Sequence, residues 1–211
     1  MTKYNRDEAY TLKNSAAHKT YYNKWAKTYD RDFIQKTNYI YPQEVCEVMK
    51  SRLAGPNLVL ADIGCGTGVI GVQLHNTGWI IDGFDISSGM LEQAKKKKVY
   101  RRLVCLDLTK KDTYPKLRYT ALVSSGTFTF GHLGASELEK MLILCSENAH
   151  CFIGINYEHF VSGGFENVFQ ELILRKAIAD FEIVNIPIYE SAKTKDPMNR
   201  ANLCIFRFIG K

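Results

Sequence analysis

The sequence predicts an α/β domain built on a seven-stranded, mainly parallel sheet that ends in an antiparallel C-terminal hairpin. Three observations carry that expectation. Apolar, β-rich runs alternate with helically spaced segments over most of the 211 residues. A glycine-rich stretch, Gly64-Cys65-Gly66-Thr67-Gly68, sits at a strand-to-helix junction. The last two strand-like runs, Phe181 to Tyr189 and Leu203 to Ile209, are joined by the polar connection Ser191 to Pro197, which has no helical pattern and so predicts antiparallel pairing.

The first strand is expected over Leu58 to Ile63, and the glycine stretch then opens a helix to Asn76. A second strand, Trp79 to Phe84, ends in Asp85; Ser87 follows as the N-cap of a helix with Met90, Leu91 and Ala94 on one face. Arg102 to Leu106 forms a third strand ending in Asp107, and Tyr119 to Ser124 a fourth. Ser136-Glu137-Leu138-Glu139 has the form of a capping box and predicts a helix to Asn148, before a fifth strand over His150 to Asn156. Phe165, Val168, Phe169, Leu172 and Ile173 have helical spacing, ending near Ala179. Ahead of the sheet, Tyr22, Trp25, Ala26, Tyr29 and Phe33 fall on one helix face, and Pro42 suits the first turn of a helix ending near Leu53. The expected organisation is a single domain, 1–211, with an N-terminal helical lid region over 1–40 and the core over 41–211.

A hydrophobic content of 45% is enough to build one sizeable core in a chain of this length. No apolar run reaches the about 20 residues of a membrane span, and the N-terminal MTKYNRDEAY is too polar for a secretory signal, so a cytoplasmic location is expected. The six cysteines contain no C-x-x-C pair and read as reduced core thiols, with no metal site. The net charge of +6 owes much to Lys95 to Lys98 at a helix end, where cations complement the dipole and face solvent. No aromatic residue interleaves these lysines, so neither nucleic acid nor a membrane is an expected partner.

Glycine in a strand-to-helix turn lets a ligand approach the backbone without meeting a Cβ. A dinucleotide fingerprint would read G-x-G-x-x-G and receive a pyrophosphate. Here Asp62 precedes the glycines; its carboxylate repels a pyrophosphate but suits the α-ammonium of an amino-acid-like ligand. That favours S-adenosylmethionine. Asp85 closes the next strand, where it can accept from both ribose hydroxyls, and Asp107 closes the third, where it can accept from an adenine amino group. Ile86 and Met90 could sandwich the adenine, and Leu108 could add its backbone amide.

DIGCGTG, FDIS and LDLT resemble the successive motifs of class I S-adenosylmethionine-dependent methyltransferases, from Tyr21 to Phe208. Within that superfamily, TYDRDF, the run GFDISSGMLEQAKKKKVYRRLVCLDL and SSGTFTFGHLG are similar to the Williams-Beuren-region methyltransferase-like group. The resemblance implies a Rossmann-like methyltransferase domain and cofactor roles for Asp62, Gly64, Gly66, Asp85, Met90 and Asp107. The expected cofactor wall also includes Cys65 and Gly68, Ser125 and Gly126 after the fourth strand, and Tyr22, Trp25 and Tyr29 from a lid.

The expected function is methyl transfer to a small-molecule N, O or S nucleophile, giving S-adenosylhomocysteine; the alternative is a non-catalytic protein that binds the cofactor or a partner on the same fold. A nicotinamide oxidoreductase is disfavoured by Asp62 and the glycine spacing. The segment GTFTFG stands where Asn-Pro-Pro-Tyr would mark nucleobase or glutamine methylation. His132 is the candidate proton acceptor, having an ordinary pKa near neutrality, with an exposed loop histidine as the other reading. Asn156, Tyr157, Glu158 and His159 follow the fifth strand and are candidate substrate contacts together with His132.

Overall fold

The computed structural model describes residues 4–110, 114–193 and 199–210. Residues 1–3 of the polar N-terminal stretch and 194–198 of the polar connection lie outside the described residues. The helices are α1 (Arg6–Tyr10), α2 (Ser15–Trp25), α3 (Tyr41–Arg52), α4 (Val69–Leu74), α5 (Ser88–Lys97), α6 (Ala135–Met141), α7 (Tyr157–Ser162) and α8 (Phe165–Leu174). The strands are β1 (Val59–Ile63), β2 (Ile80–Asp85), β3 (Arg102–Cys105), β4 (Tyr119–Phe128), β5 (Cys145–Asn156), β6 (Ile178–Pro187) and β7 (Arg200–Phe208). They form one sheet of order β3-β2-β1-β4-β5-β7-β6, in which the first five strands are parallel and β7 runs antiparallel to both β5 and β6. The chain therefore reverses its direction of growth between β1 and β4, the switch point where open α/β sheets leave a crevice at the strand C-termini.

Both faces of the sheet are covered, and the strand residues alternate between two cores as the two-residue period requires. Ile63, Leu122, Ile153 and Cys204 pack with Phe165 and Phe169 on one side. Leu60, Val123, Phe152 and Leu203 pack with Trp25, Met49 and Leu74 on the other. The edge strand β6 is bent by a bulge between Ala179 and Glu182, with Asp180 at φ +57°, a device that discourages edge-to-edge pairing.

Several boundaries differ from expectation for local reasons. The capping carboxylate before α6 is Glu137, which accepts from the Gly134 amide at 3.1 Å, so the helix starts at Ala135. It gives way to a 3-10 turn over Leu142–Leu144, and β5 begins at Cys145 in place of helix to Asn148. Tyr119 draws Cys145 into the ladder, and Asn148 at φ +64° absorbs the register shift. β4 runs past Ser124 because Phe128 pairs with Ile155 beyond a bulge at Gly126. The polar connection opens with a 3-10 turn, Glu190–Lys193, pinned by the Glu190 amide donating to the Asn38 carbonyl at 3.0 Å.

The aromatic stripe is not one helix. α2 stops at Trp25 and a π-helical turn spans Asp30–Gln35, yet the rings of Trp25, Tyr29 and Phe33 remain in successive contact, with centroids 4.8 and 5.2 Å apart. This segment is tied to α5 and the glycine turn at two places. The Asn23 side-chain oxygen accepts from the Ser87 hydroxyl at 2.7 Å and from the Gly89 amide at 2.8 Å. Asp30 accepts from the Thr67 hydroxyl and pairs with Lys97 at 2.8 Å, so one member of the lysine run is a tether and not merely solvated. Asn23→Ala removes the first tie at a loss of about 1 kcal/mol or more, so amide exchange over α2 is expected to quicken several-fold while β1 and β4 stay protected; hydrogen-exchange mass spectrometry reads this. Uniform exchange across the two proteins would show that the tie does not hold the segment.

Candidate functional site

At the β1/β4 switch point lies a cavity of about 370 Å³. The glycine turn forms its floor. Gly64 sits at φ +69° and is overlain by Thr127 of β4, whose Oγ1 would lie 1.9 Å from any added Cβ, so no other residue fits there. Gly66, at φ +53°, is different: a Cβ on it would meet nothing within 4 Å, which leaves bare backbone open beside the cavity. The Ser124 and Thr127 hydroxyls both donate to the Ile63 carbonyl, at 3.0 and 3.1 Å, and so lock the ends of β1 and β4 together.

All three strand-end acids line this cavity. Asp62 is 1% exposed and accepts from the Tyr100 hydroxyl at 2.7 Å; burial pushes its pKa up to about 7 against that hydrogen bond. Asp85 accepts from the Gly66 amide and the Ser87 amide, each at 2.8 Å, and burial raises it to about 6. Asp107 is raised by burial, but hydrogen bonds from the Thr109 hydroxyl (2.7 Å) and amide (3.0 Å) and from Ser15 outweigh this and leave its pKa below the ordinary carboxylate value.

Cys65, Ile86, Met90, Leu108, Ser125, Gly126, Tyr22 and Tyr29 also line the large cavity, with Gly64 and Gly66. Gly68 does not: it is the N-cap of α4, and its missing Cβ makes room for Tyr100 and Ala94. Trp25 is absent from that wall too, because the stripe turns its indole into a second cavity of about 50 Å³. This smaller space shares Tyr22, Tyr29, Tyr39, Gly126 and His132 with the larger one, so the two lie side by side.

His132 lines both cavities, but not as an exposed loop histidine or a free base. Its Nδ1 donates to the Phe130 carbonyl at 3.0 Å, so in the neutral ring Nε2 is the acceptor, and it receives the Tyr22 hydroxyl at 2.8 Å. Burial, and then His18 with its ring 4.2 Å away, lower the His132 pKa to about 4. Asn156 walls the small cavity and also caps α7, accepting from the His159 amide at 3.2 Å. Tyr157, Glu158 and His159 line neither cavity. Asn156 starts a helix there, and the His159 ring turns inward to donate to the Leu133 carbonyl at 3.0 Å.

Sequence reasoning missed Tyr100, the tether Asp30–Thr67–Lys97, and the Thr109 and Ser15 contacts to Asp107. Only Tyr100 left a trace: Gly71 lies inside a helical pattern because a Cβ there would fall 2.6 Å from the Tyr100 ring. Of the cysteines, five are buried and Cys105 is exposed; among the described residues no cluster of potential metal ligands occurs.

Comparison with known proteins agrees with this architecture. A family described as methyltransferase domain matches residues 60–148. Human methyltransferase-like protein 27 is 28% identical over 125 residues, which cover 57% of this chain and 51% of the relative. Malonyl-[acyl-carrier protein] O-methyltransferase of Priestia megaterium is 30% identical over 126 residues, 57% of this chain and 44% of the relative. The chain spans about half the length of these curated relatives. The solved magnesium protoporphyrin IX methyltransferase of Synechocystis with bound S-adenosylmethionine superposes with a TM-score of 0.66 at 15% identity, covering 94% of this chain and 98% of that one. A TehB-like methyltransferase from Corynebacterium glutamicum superposes with a TM-score of 0.61 at 20% identity, over 94% and 100% of the two chains. The β3-β2-β1-β4-β5-β7-β6 sheet of this chain has the fold of these solved methyltransferases.

Proposed function

We propose that the chain binds S-adenosylmethionine in the large cavity and transfers its methyl group to a small molecule. The observation that carries this reading is the convergence of Asp62, Asp85 and Asp107 around one cavity floored by the open Gly66 backbone. The donor set fits the cofactor: a buried carboxylate for its ammonium, a second for paired hydroxyls, and a third beside the apolar Ile86, Met90 and Leu108 for an adenine. When bound, the cofactor supplies an electrophilic methyl on a sulfonium, so the chain has to align a nucleophile and exclude water. Tyr22 and Tyr29 stand where the two cavities meet and, with the tethered N-terminal segment, close the site from solvent. His132 holds the Tyr22 hydroxyl; its low basicity and occupied Nε2 suit positioning better than proton removal. The domain organisation proposed with this reading is one methyltransferase unit, with 1–40 as its lid.

The Asp62 carboxylate makes cofactor binding pH-dependent. With its pKa at about 7, Asp62 is protonated below that pH and offers no charge to an ammonium, so above the Asp85 pKa of about 6 affinity for S-adenosylhomocysteine is expected to rise by up to about tenfold between pH 6 and 7. In the free protein the sign is opposite. The native state keeps the Asp62 proton that the unfolded chain loses near pH 4, so the stability from this group is present at low pH and is lost as pH rises towards 7. Tyr100→Phe removes a donor to the carboxylate and should move the binding rise to higher pH. Calorimetric titration across this range checks both expectations; a flat profile would separate Asp62 from the ligand. Turnover of S-adenosylmethionine with a metabolite mixture tests the transfer itself, and binding without any turnover would favour a carrier or partner-binding protein.

A further inference from the structure

The small cavity carries an unusual set of unpaired polar atoms. Of the four buried side-chain N or O atoms without a hydrogen-bond partner among the described residues, three belong to its wall: Trp25 Nε1, Tyr41 Oη and Thr129 Oγ1. Their residues are 2%, 2% and 6% exposed, so solvent does not readily satisfy them. Leaving such groups unpaired is costly, and three of them on the residues of one cavity wall single that space out as one to be filled. The indole N–H only donates, and both hydroxyls can donate.

The charge on the wall has one sign. Arg6 is its charged residue, and no aspartate or glutamate lines the cavity. The Arg6 guanidinium donates to the Tyr189 hydroxyl at 2.9 Å and lies 5.6 Å from the Tyr10 and Tyr189 ring centres. It also pairs at 3.0 Å with Asp7, whose side chain is 81% exposed and is not part of the wall. Aromatic rings alone would suit an ammonium ion, but here such an ion would sit beside Arg6 without a counter-charge and would present no lone pair to Trp25.

We infer that this cavity is the acceptor subsite and that it takes a small carboxylate, whose oxygens receive the Trp25, Tyr41 and Thr129 hydrogens at a mouth biased positive by Arg6. The inference rests on the methyl-transfer reading for its chemistry but not for its binding. The wall shared with the large cavity, Tyr22 and Tyr29 included, sets the two spaces side by side, so that one carboxylate oxygen would face the methyl. That oxygen forms the new O–C bond as the S–C bond breaks and its electron pair stays on sulfur. The products are a methyl ester and S-adenosylhomocysteine. No proton is released, because the acid is already ionised, which agrees with a wall that holds no free base.

The test is calorimetric titration of benzoate and butanoate, against benzylammonium and butylammonium, with and without saturating S-adenosylhomocysteine. The acids are expected to bind and the ammonium ions not. Tyr41→Phe and Thr129→Val each remove one donor with little change of shape, so each should weaken acid binding about tenfold and leave S-adenosylhomocysteine affinity unchanged. Incubation with S-adenosylmethionine should yield an alkali-labile methyl ester detectable by mass. Binding of the ammonium ions instead, binding of neither class, or full acid affinity in both variants would overturn the inference. Acid binding without S-adenosylhomocysteine binding would overturn the methyl-transfer reading alone, and the converse would leave that reading standing while removing this one.

Discussion

Asp85→Asn is expected to lower affinity for S-adenosylhomocysteine by about a hundredfold. Asp85 has both carboxylate oxygens already committed to the loop, Oδ2 to the Gly66 amide and Oδ1 to the Ser87 amide, which fixes the plane it presents to the cavity. A pair of ribose hydroxyls would add two charge-assisted hydrogen bonds, each contributing about 1.5 to 3 kcal/mol. The amide keeps the shape but loses the charge and turns one acceptor into a donor, so about 3 kcal/mol of binding disappears. The measurement belongs at pH 8, above the raised Asp85 pKa of about 6, where the wild-type group is ionised. Unchanged affinity in a folded Asp85→Asn protein would remove the ribose role and, with it, the strongest support for the cofactor assignment.

The second large effect concerns stability and leaves the site alone. Asp82, in the middle of β2, is fully buried and holds Arg101 through two contacts of 2.9 and 2.6 Å while accepting from the Tyr119 hydroxyl at 2.8 Å. Arg101 keeps 41% of its side-chain surface in solvent, so the ion pair itself is partly screened. The heavier loss in Asp82→Ala is the stranding of the Tyr119 hydroxyl among apolar neighbours, together with the space left behind. About 3 kcal/mol is expected, lowering the melting temperature by about 10 °C in a chain of this size. Asp82→Asn keeps an acceptor for Tyr119 and should lose less. Because Asp82 lines neither cavity, S-adenosylhomocysteine affinity should hold in both variants; a melting temperature unmoved by Asp82→Ala would show that Tyr119 finds another partner.

How far the sequence was legible follows from the range of the forces involved. Continuous apolar runs reported the central strands because a parallel sheet covered on both faces buries each strand residue whichever way it points. The glycine turn was legible because positive φ and close approach at Gly64 leave no other residue possible, and the acids after β2 and β3 because strand ends share one edge of a parallel sheet. The end of α6 was misjudged because Tyr119 captures Cys145 across the sheet, an interaction 26 positions long that no local capping signal contains.

The sequence by itself determined the α/β class, the antiparallel C-terminal hairpin and the row of carboxylates at the strand ends; the strand order came with the structure. The sequence did so because the class, the hairpin and the acids depend on backbone geometry and on side-chain period. Tertiary structure alone decided that Asp62 is shaped by Tyr100, that His132 has its free nitrogen covered by Tyr22, and that Trp25 faces the small cavity and not the large one. It alone brought Arg6, Trp25, Tyr41 and Thr129 around one space. The physical reason is that an unpaired buried donor has meaning only when every neighbour is known, and those neighbours come from four separate stretches of the chain.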